Sequence, residues 1–341
     1  MAIRALRVHG VKDLRVEERP VPRPGPGEVL VRTTFGGICG SDLHYYRDGA
    51  VGDFKVLVPM ILGHEVVGRV EALGEGVDRP DVGTPVAVHP ATPCGSCLQC
   101  QEGRENICPS ATYLGSAARF PHVQGGFAEL LVVRAEQLRP LPSGLNEADA
   151  VLAEPLAVAL HATRRAGPVA GKRVLVTGAG PIGLLTVAVL HHEGAAEVMA
   201  SDVLEEPLAR AMRLGATSTF LVGEGTRPSD GEADVVVEAS GSPAALQACI
   251  EAVRPGGTVV GLGIPGGPAS LPAAQLVARE IALVGSYRFG PEFDQALALL
   301  ASGFDSKAVV THSFPLEDAQ HAFDLASDRA AASKVVLRFG A

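Results

Sequence analysis

The spacing of apolar residues changes character part-way along the chain. Before Glu154, short runs of alternating or β-branched residues are bounded by Gly and Pro, which is typical of strands joined by long loops. Pro20, Pro22, Pro24 and Pro26 predict an extended segment and not a helix. The pattern therefore predicts a β-rich region with strands at residues 29–33, 66–72, 85–88 and 127–133.

After Glu154, apolar runs of strand length alternate with helical spacing. The first helix is predicted for residues 155–165, opening on Pro155 and ending at Gly167. Further helices at residues 204–214 and 243–253 lie between apolar runs at residues 173–177, 197–201, 219–222, 234–238, 258–262 and 281–285. Strands that alternate with helices predict a doubly wound parallel sheet.

The C-terminal part of the chain returns to a mixed pattern, with helices predicted at residues 292–301 and 316–326 and a closing strand at 334–339. The length of 341 residues also suits two domains of roughly 150 residues each. We predict an α/β protein in which a nucleotide-binding domain, residues 154–287, is inserted into a β-rich domain built from residues 1–153 and 288–341.

A glycine-rich turn follows the first strand of the doubly wound region, in the pattern G-x-G-x-x-G. Gly178 permits a tight turn, Gly180 lets the backbone approach a pyrophosphate, and Gly183 lets the helix pack against the strand. Pro181 and Ile182 complete the turn at the positively polarised start of the helix. The alternative is a glycine turn that binds no nucleotide, but the flanking strand and helix favour dinucleotide binding.

An acidic residue stands at the end of the next predicted strand. Asp202 lies 24 residues after Gly178, close to the spacing of about 20 in dinucleotide-binding folds. A carboxylate there accepts hydrogen bonds from the ribose hydroxyls and repels a 2′-phosphate. Glu205 and Glu206 follow, and the nearest arginine is Arg210. The sequence therefore predicts NAD as the coenzyme in preference to NADP.

Charge and composition narrow the classes of function. The net charge of −9 argues against partners such as nucleic acid or an anionic membrane, which require a basic surface. The longest apolar run, residues 182–190, is far shorter than the roughly 20 residues of a membrane-spanning helix. Arg4 and Arg7 interrupt the stretch that would be apolar in a signal peptide. We therefore expect a cytoplasmic protein whose six cysteines are thiols or metal ligands.

Four of the cysteines lie in one loop with the spacing C-x2-C-x2-C-x7-C. Four thiolates suit one tetrahedral zinc ion with no position open to a substrate, which is a structural site. Redox and iron–sulfur sites also use Cys-x-x-Cys pairs, but no thioredoxin-like strand and helix flank this loop. A lobe of this size, residues 94–108, cannot bury a core of its own, so a metal would hold it together. The predicted ligands are Cys94, Cys97, Cys100 and Cys108.

A second group of metal-ligand residue types is spread along the chain. Cys39 lies in Gly-Ile-Cys-Gly-Ser-Asp, His64 and Glu65 follow Gly63, and Glu154 precedes a proline. One cysteine, one histidine and a carboxylate with an open position are typical of catalytic zinc. Each residue also has an ordinary explanation, such as a core thiol or a charge at a helix N-terminus. Spacing alone leaves both possibilities open.

Together these motifs resemble those of the zinc-dependent medium-chain alcohol and polyol dehydrogenases, over essentially the whole chain. The resemblance implies a β-rich GroES-like catalytic domain beside a Rossmann domain. It also implies one catalytic and one structural zinc ion per subunit, and reversible hydride transfer between a secondary alcohol and NAD. Glu154 stands where alcohol dehydrogenases of the liver and yeast kind have a cysteine, which favours the polyol and sugar-acid branch.

The resemblance further implies roles for individual residues. The catalytic zinc would be held by the cysteine, the histidine and one of two carboxylates, directly or through water. The segment after the cysteine would relay the proton to solvent, although a histidine there could instead pack on Tyr45. The catalytic residues implied in this way are Cys39, Ser41, His44, His64, Glu65 and Glu154.

Within the family, residues 40–49, 115–127 and 285–289 resemble the branch that oxidises L-idonate, whereas sorbitol dehydrogenases share only the first and last of these segments. The carboxylate of a sugar acid requires a cation. Arg288 follows a predicted Rossmann strand and is the first candidate for this cation, and Arg119 and Arg47 are weaker candidates. Tyr45 is also expected near the substrate. We predict oxidation of L-idonate to 5-keto-D-gluconate, with a sorbitol or xylitol 2-dehydrogenase as the alternative.

Functions of other classes fit less well. A zinc module that grips nucleic acid would need clustered basic residues, and only Arg79, Arg104 and Arg119 lie near the cysteine lobe. A zinc-free reductase of the same superfamily would lack the cysteine lobe and the catalytic ligands. An inactive regulator that retains its metals would have the same motifs, and no sequence feature excludes it. We expect a homo-oligomer, a tetramer or a dimer, whose sheet could extend through the strands at residues 258–262 and 281–285.

Overall fold

The structure, a computed structural model, describes residues 2–223 and 231–340. Strands dominate its first part, where α1 (Gly40–Asp48), α2 (Leu98–Gln101) and α3 (Glu147–Ala150) are short helices. The strands are β1 (Ala2–Gly10), β2 (Asp13–Pro20), β3 (Glu28–Gly37), β4 (Ala50–Val51), β5 (Phe54–Lys55), β6 (Met60–Ile61), β7 (Glu65–Leu73), β8 (Pro85–Val88), β9 (Ala91–Thr92), β10 (Thr112–Tyr113), β11 (Leu130–Arg134) and β12 (Leu138–Pro140).

Strands and helices alternate in the rest of the chain. The strands are β13 (Arg173–Thr177), β14 (Glu197–Asp202), β15 (Ser218–Leu221), β16 (Ala233–Glu238), β17 (Val253–Gly261), β18 (Ala282–Gly285), β19 (Val310–Pro315) and β20 (Lys334–Arg338). The helices are α4 (Ala153–Arg165), α5 (Pro181–His192), α6 (Glu205–Arg213), α7 (Pro243–Ala252), α8 (Ala273–Ala278), α9 (Glu292–Ala301) and α10 (Ala319–Ser327). Within the described ranges, no helix is long and apolar enough to cross a membrane.

The first part of the chain and its C-terminal end share one seven-stranded sheet. Its order is β12-β8-β7-β3-β20-β19, and β11 also pairs with β3. Strands β3 and β7 are antiparallel, with a register that places Gly37 opposite Glu65. Strand β20 pairs with the same end of β3, where Val336 lies opposite Gly37. The domain boundaries at residues 153/154 and 287/288 stay predictions.

The middle of the chain forms a six-stranded parallel sheet with the order β15-β14-β13-β16-β17-β18. In chain order this is 3-2-1-4-5-6, so the strand order reverses between β13 and β16, where the carboxyl ends of the strands open a crevice. Helices α4 and α5 pack on this sheet, and Leu184, Leu185 and Leu190 are fully buried. Burial of each such side chain contributes roughly 1.5–3 kcal/mol. The predicted doubly wound parallel sheet is confirmed.

The segment after Cys39, for which the sequence analysis predicts no helix, forms helix α1. Its apolar residues have no helical periodicity, and only the residues at its two ends are typical of a helix. The Asp42 carboxylate accepts a hydrogen bond from the backbone N–H of Cys39 at 3.0 Å, and Gly49 ends the helix with a left-handed φ of 69°. A second difference is that the predicted helix at residues 316–326 begins with a 3-10 turn, Leu316–Asp318, before α10.

Candidate active site

Three of the dispersed ligand residues meet at the end of strand β3. Cys39 follows this strand, and His64 and Glu65 stand at the start of β7, its antiparallel neighbour. One ligand atom from each residue lies within 4.8 Å of those of the other two. His64 and Glu65 are buried, and Cys39 is partly exposed. Strand pairing thus gathers residues that are 25 positions apart in the sequence into one cluster, which we call the catalytic cluster.

A buried aspartate, Asp42, fixes the two loops that carry this cluster. One of its oxygens accepts the backbone N–H of Cys39 at 3.0 Å and the other accepts that of Gly63 at 3.1 Å. The second oxygen also lies 4.0 Å from Nδ1 of His64. Sequence reasoning missed Asp42 as a functional residue, although it belongs to the Gly-Ser-Asp motif. Asp42 lies three residues after Cys39, the position from which a side chain can accept the backbone N–H of a helix N-cap residue. This spacing could have indicated its role.

His64 is surrounded by acidic side chains. Burial by itself lowers the pKa of His64, but the charges of Cys39 and Asp42 outweigh burial and raise the pKa to about 10. Acidic groups that stabilise a positively charged histidine would also stabilise a divalent cation bound in the same place. Soft sulfur and borderline nitrogen donors with a carboxylate form a ligand set suited to zinc. The side chains present therefore fit a zinc ion.

Glu65 has a counter-ion within the protein. Nζ of Lys334, the first residue of β20, lies 2.6 and 2.8 Å from the two carboxylate oxygens and donates a third bond to the carbonyl of Ile38 at 3.0 Å. Both side chains are excluded from solvent, with exposures of 2% for Lys334 and 0% for Glu65. Gly37 leaves room for this pair, since a Cβ there would overlap the Glu65 carboxylate.

Glu154, the alternative carboxylate, stands in the first turn of α4 and is not a member of the three-residue cluster defined among the described side chains. Its Oε1 accepts a hydrogen bond from the Tyr113 hydroxyl at 2.7 Å. The Tyr113 ring is 5.5 Å from the His64 ring, edge to face. Sequence reasoning missed Tyr113, which no motif marks. This tyrosine connects Glu154 with the catalytic cluster.

Arg288 also contacts Tyr113. Its guanidinium carbon is 4.0 Å from the centroid of the Tyr113 ring, a cation–π arrangement. The backbone of Arg288 has a φ of 54°, which is uncommon for a residue with a side chain and recurs at functional sites. Both residues line a cavity of about 670 Å³ that extends along the cysteine lobe to Cys94. The structure therefore places Arg288 beside the Tyr113–Glu154 pair.

The other two predicted substrate residues support a loop. Tyr45 is buried, and its hydroxyl accepts the backbone N–H of Ala117 at 3.0 Å. Arg119 donates to the carbonyl oxygen of Pro109 at 2.9 Å. Neither Tyr45 nor Arg119 lines the cavity that Arg288 faces.

The two residues of the predicted proton relay lie on α1. Ser41 is partly exposed. His44 is exposed, and its Nδ1 lies 2.8 Å from Asp48, one turn along the helix. The histidine therefore stands at the solvent side of the helix that begins at the catalytic cluster. Both the relay role of His44 and its packing on Tyr45 stay predictions.

The four cysteines of the lobe converge as their spacing predicts. Their sulfur atoms all lie within 4.8 Å of one another, with Cys94–Cys108 and Cys97–Cys100 at 3.5 Å. A tetrahedral site with Zn–S bonds of about 2.3 Å has sulfurs about 3.8 Å apart, whereas a disulfide requires about 2.05 Å. Hydrogen bonds from the backbone N–H groups of Ser96 and Cys97 lower the pKa of Cys94 to about 6. The lobe is shaped for a closed zinc site.

The glycine-rich turn has the geometry of a pyrophosphate cradle. Gly178, which follows the last residue of β13, has a φ of 94°, and a Cβ there would meet the backbone nitrogen of Ser240 at 2.7 Å. A Cβ on Gly183 would overlap the carbonyl oxygen of Gly178. Gly180, the residue that caps α5, has open space around its Cβ position. A helix N-terminus with open space over a glycine backbone fits a dinucleotide. Pro181 and Ile182 form the first turn of α5, as predicted.

Asp202 ends β14 at the same edge of the sheet, and it is buried. It accepts hydrogen bonds from backbone N–H groups and from an arginine that sequence reasoning missed. Nη2 of Arg329 lies 3.0 and 2.8 Å from the two carboxylate oxygens. Arg210, the nearest arginine in sequence, is instead buried and donates to backbone carbonyls. The backbone donors to Asp202 are Ala179 at 2.7 Å, Val203 at 2.7 Å and Leu204 at 3.2 Å.

Two family models match the chain. Residues 25–143 match the alcohol dehydrogenase GroES-like domain, and residues 181–302 match the zinc-binding dehydrogenase family. An L-idonate 5-dehydrogenase (NAD(P)(+)) from Escherichia coli K12 is 40% identical over 339 residues, which cover 97% of each chain. The chain belongs to the zinc-dependent medium-chain dehydrogenases. The predicted GroES-like and Rossmann fold class and the predicted enzyme class are confirmed.

Other medium-chain dehydrogenases match nearly as well. The human sorbitol dehydrogenase is 37% identical, with 94% of this chain and 91% of the relative covered. The crystal structure of L-idonate 5-dehydrogenase from Escherichia coli superposes with a TM-score of 0.94 at 38% identity, covering 99% of both chains. Relatives named for a sugar acid and for a polyol both match. The family therefore assigns dehydrogenation of a CH–OH group with NAD(P) and a small-molecule substrate.

Proposed function

We propose that this medium-chain dehydrogenase oxidises the secondary alcohol of a sugar acid, with L-idonate converted to 5-keto-D-gluconate and NAD reduced. The observation that carries the proposal is the position of Arg288, a cation stacked on Tyr113 beside Glu154. The name of the relative at 40% identity supports the same substrate.

The proposed ligands of the catalytic zinc are Cys39, His64 and Glu65, because these three offer atoms within 4.8 Å of one another. Glu154 would then act through water, held in place by the Tyr113 hydroxyl. When bound, zinc supplies a Lewis acid that lowers the pKa of a coordinated hydroxyl group, and the nicotinamide accepts hydride.

The protein's own residues position these groups and give the proton a way out. Asp42 holds the loops of Cys39 and His64 in register through two backbone hydrogen bonds. The proton released by the alcohol would leave along α1 past Ser41, and the exposed ring of His44 would pass it to solvent. Histidine suits this step because it gains and loses a proton near neutral pH.

The four thiolates of Cys94, Cys97, Cys100 and Cys108 would hold the structural zinc. The coenzyme pyrophosphate would lie over Gly180 at the start of α5, and Asp202 would face the adenosine ribose. A buried carboxylate at this place favours the ribose hydroxyls over a phosphate, so we propose that NAD is the preferred coenzyme.

A polyol 2-dehydrogenase is the second candidate. The observation that favours it is that Arg288 already has a π partner in Tyr113, so its charge is partly engaged without a substrate carboxylate. Sorbitol or xylitol would then need only hydroxyl-binding groups in the cleft. The two candidate functions share the zinc site, the coenzyme site and the proton route. They differ because only a sugar acid requires a cationic side chain in the substrate cleft.

The deciding experiment measures kcat/KM with NAD for L-idonate, sorbitol and xylitol on zinc-replete enzyme in one buffer. We expect a preference for L-idonate of about a hundredfold, or about 2.7 kcal/mol of transition-state discrimination. A preference for either polyol would discard the sugar-acid assignment and retain the reaction.

The role of the arginine is tested with Arg288→Ala, and Arg119→Ala is the matched control because its guanidinium is engaged with loop carbonyls. We expect Arg288→Ala to raise KM for L-idonate at least tenfold more than KM for sorbitol, since a charge-assisted pair is lost only with the acid. Arg119→Ala should change the two KM values equally. Equal effects of Arg288→Ala on both substrates would remove the carboxylate-binding role.

A further inference from the structure

The coenzyme site contains a cation that comes from the opposite end of the chain. Arg329 lies in the segment between α10 and β20, 127 positions after Asp202, and its Nη2 donates to both oxygens of that carboxylate at 3.0 and 2.8 Å. The Asp202 side chain is 1% exposed, whereas that of Arg329 is 51% exposed. The guanidinium thus pairs with the buried carboxylate and remains open to solvent at the edge where the ribose is expected.

The backbone that carries Arg329 is held from both sides. Arg210, which is buried on α6, donates to the carbonyl oxygens of Ala330 at 2.9 Å and Ala331 at 3.2 Å. The side chain of Asp328 accepts the backbone N–H groups of the same two residues at 3.1 and 3.2 Å. The segment is therefore fixed against the nucleotide-binding domain, and the position of Arg329 does not depend on its own contact with Asp202 alone.

This pair changes the electrostatics of the ribose position. An isolated carboxylate repels a 2′-phosphate, which is why Asp202 alone predicts NAD. With Arg329 bound to it, the two side chains together have no net charge. A guanidinium has five N–H donors, and the contacts with Asp202 use one of its nitrogens, so further donors remain for a phosphate. The site therefore combines an acceptor for a ribose hydroxyl with a donor for a phosphate.

We propose that Arg329 is a coenzyme-specificity residue, which binds the 2′-phosphate of NADP and allows this enzyme to use NADP as well as NAD. The inference rests on the proposed function, since it places the adenosine ribose beside Asp202. With NAD, the ribose hydroxyls donate to the carboxylate and Arg329 stays paired with it. With NADP, the guanidinium turns its free donors to the phosphate.

The test is a direct binding measurement on the zinc-replete full chain by isothermal titration calorimetry. The probes are 5′-AMP and 2′,5′-ADP, which match the adenosine halves of NAD and NADP. The variants are Arg329→Ala, Arg329→Gln and Arg329→Lys. The control is Arg254→Ala, which removes an equally positive side chain paired with Asp234 at the amino ends of the strands.

We expect the wild type to bind 2′,5′-ADP more weakly than 5′-AMP, but within about tenfold of it, because Asp202 favours the ribose hydroxyls and Arg329 offsets its charge. Arg329→Ala and Arg329→Gln should weaken binding of 2′,5′-ADP at least tenfold more than binding of 5′-AMP, since the charge-assisted bonds go to the phosphate. Arg329→Lys should recover part of the loss. The ratio of kcat/KM for NADP to kcat/KM for NAD should fall by about the same factor as the ratio of the two fragment affinities.

Two results would overturn the inference while leaving the dehydrogenase function intact. One is a wild type that binds 5′-AMP and NAD but binds 2′,5′-ADP a hundredfold more weakly. The other is a change in both affinities by the same factor in Arg329→Ala, which would make the arginine a support for Asp202 only. A wild type that binds neither fragment nor NAD would instead refute the coenzyme site of the proposed function.

Discussion

Replacement of Lys334 with methionine removes the positive charge that faces Glu65. The side-chain exposures are 2% and 0%, and Nζ lies 2.6 and 2.8 Å from the two oxygens. Removal of one partner from a buried ion pair costs about 3–5 kcal/mol, because the remaining charge is buried without compensation. Methionine retains most of the volume, so a cavity adds little. We expect the free energy of unfolding of the zinc-free protein to fall by about 3–5 kcal/mol.

The assay is urea denaturation of Lys334→Met with and without saturating zinc. The double variant Lys334→Met/Glu65→Gln removes both charges and should recover most of the loss, which a double-mutant cycle measures as coupling. Zinc bound by the catalytic cluster would supply a new counter-charge to Glu65, so the loss should be smaller in the zinc-loaded protein. Lys55→Met, at an exposed lysine, is the control. A loss below 1 kcal/mol without zinc, or additive effects in the double variant, would refute the reasoning.

Three further predictions follow from single sites. Gly183→Ala should lower the melting temperature by several degrees, because its Cβ would overlap the Gly178 carbonyl. Gly180→Ala should fold normally, because the Cβ position there is open. The Gly180→Ala variant should bind NAD at least tenfold more weakly, as measured by calorimetry. Burial by itself raises the pKa of Glu292, but hydrogen bonds from a neighbouring histidine and backbone N–H groups outweigh it and lower the pKa to about 2. The ionised carboxylate therefore stabilises the folded state by up to ~3 kcal/mol. This contribution is fully present above about pH 4.5 and is lost as the pH falls towards 2. The difference in unfolding free energy between the wild type and Glu292→Gln should therefore shrink over that pH interval. Cys97→Ser should remove the structural zinc and leave the catalytic one, which metal analysis of the purified protein measures directly; unchanged zinc content would contradict the four-thiolate site.

The sequence predicted those parts of the fold that depend on neighbours along the chain. Strands β8 and β13 and helix α9 have the bounds that their apolar patterns indicated. The glycine turn was predictable because two of its positions accept only glycine for local reasons. Gly178 has a positive φ, and Gly183 has no room for a Cβ. The cysteine lobe was predictable for the same reason, since its four ligands lie within 15 residues.

Features that depend on contacts across the fold were not predictable. Helix α1 has polar residues on every turn and is stabilised at its ends by Asp42 and Gly49, so no periodicity marks it. Tyr113 on β10 donates to Glu154 in the first turn of α4, which lies 41 positions later in the chain. Such contacts can be predicted only when the arrangement of the strands and helices is already known.

The two unpredicted cations of the site share one origin. Lys334 pairs with Glu65 over 269 positions, and Arg329 pairs with Asp202 over 127 positions, yet the two basic residues are only five apart. Strand β20 brings Lys334 to the catalytic cluster through its pairing with β3, while Arg210 holds the segment before β20 against the coenzyme domain. A local pattern identified this segment only as a closing strand. The segment thereby supplies Glu65 and Asp202, two buried acidic residues predicted from the motifs, with the counter-ions that their burial requires.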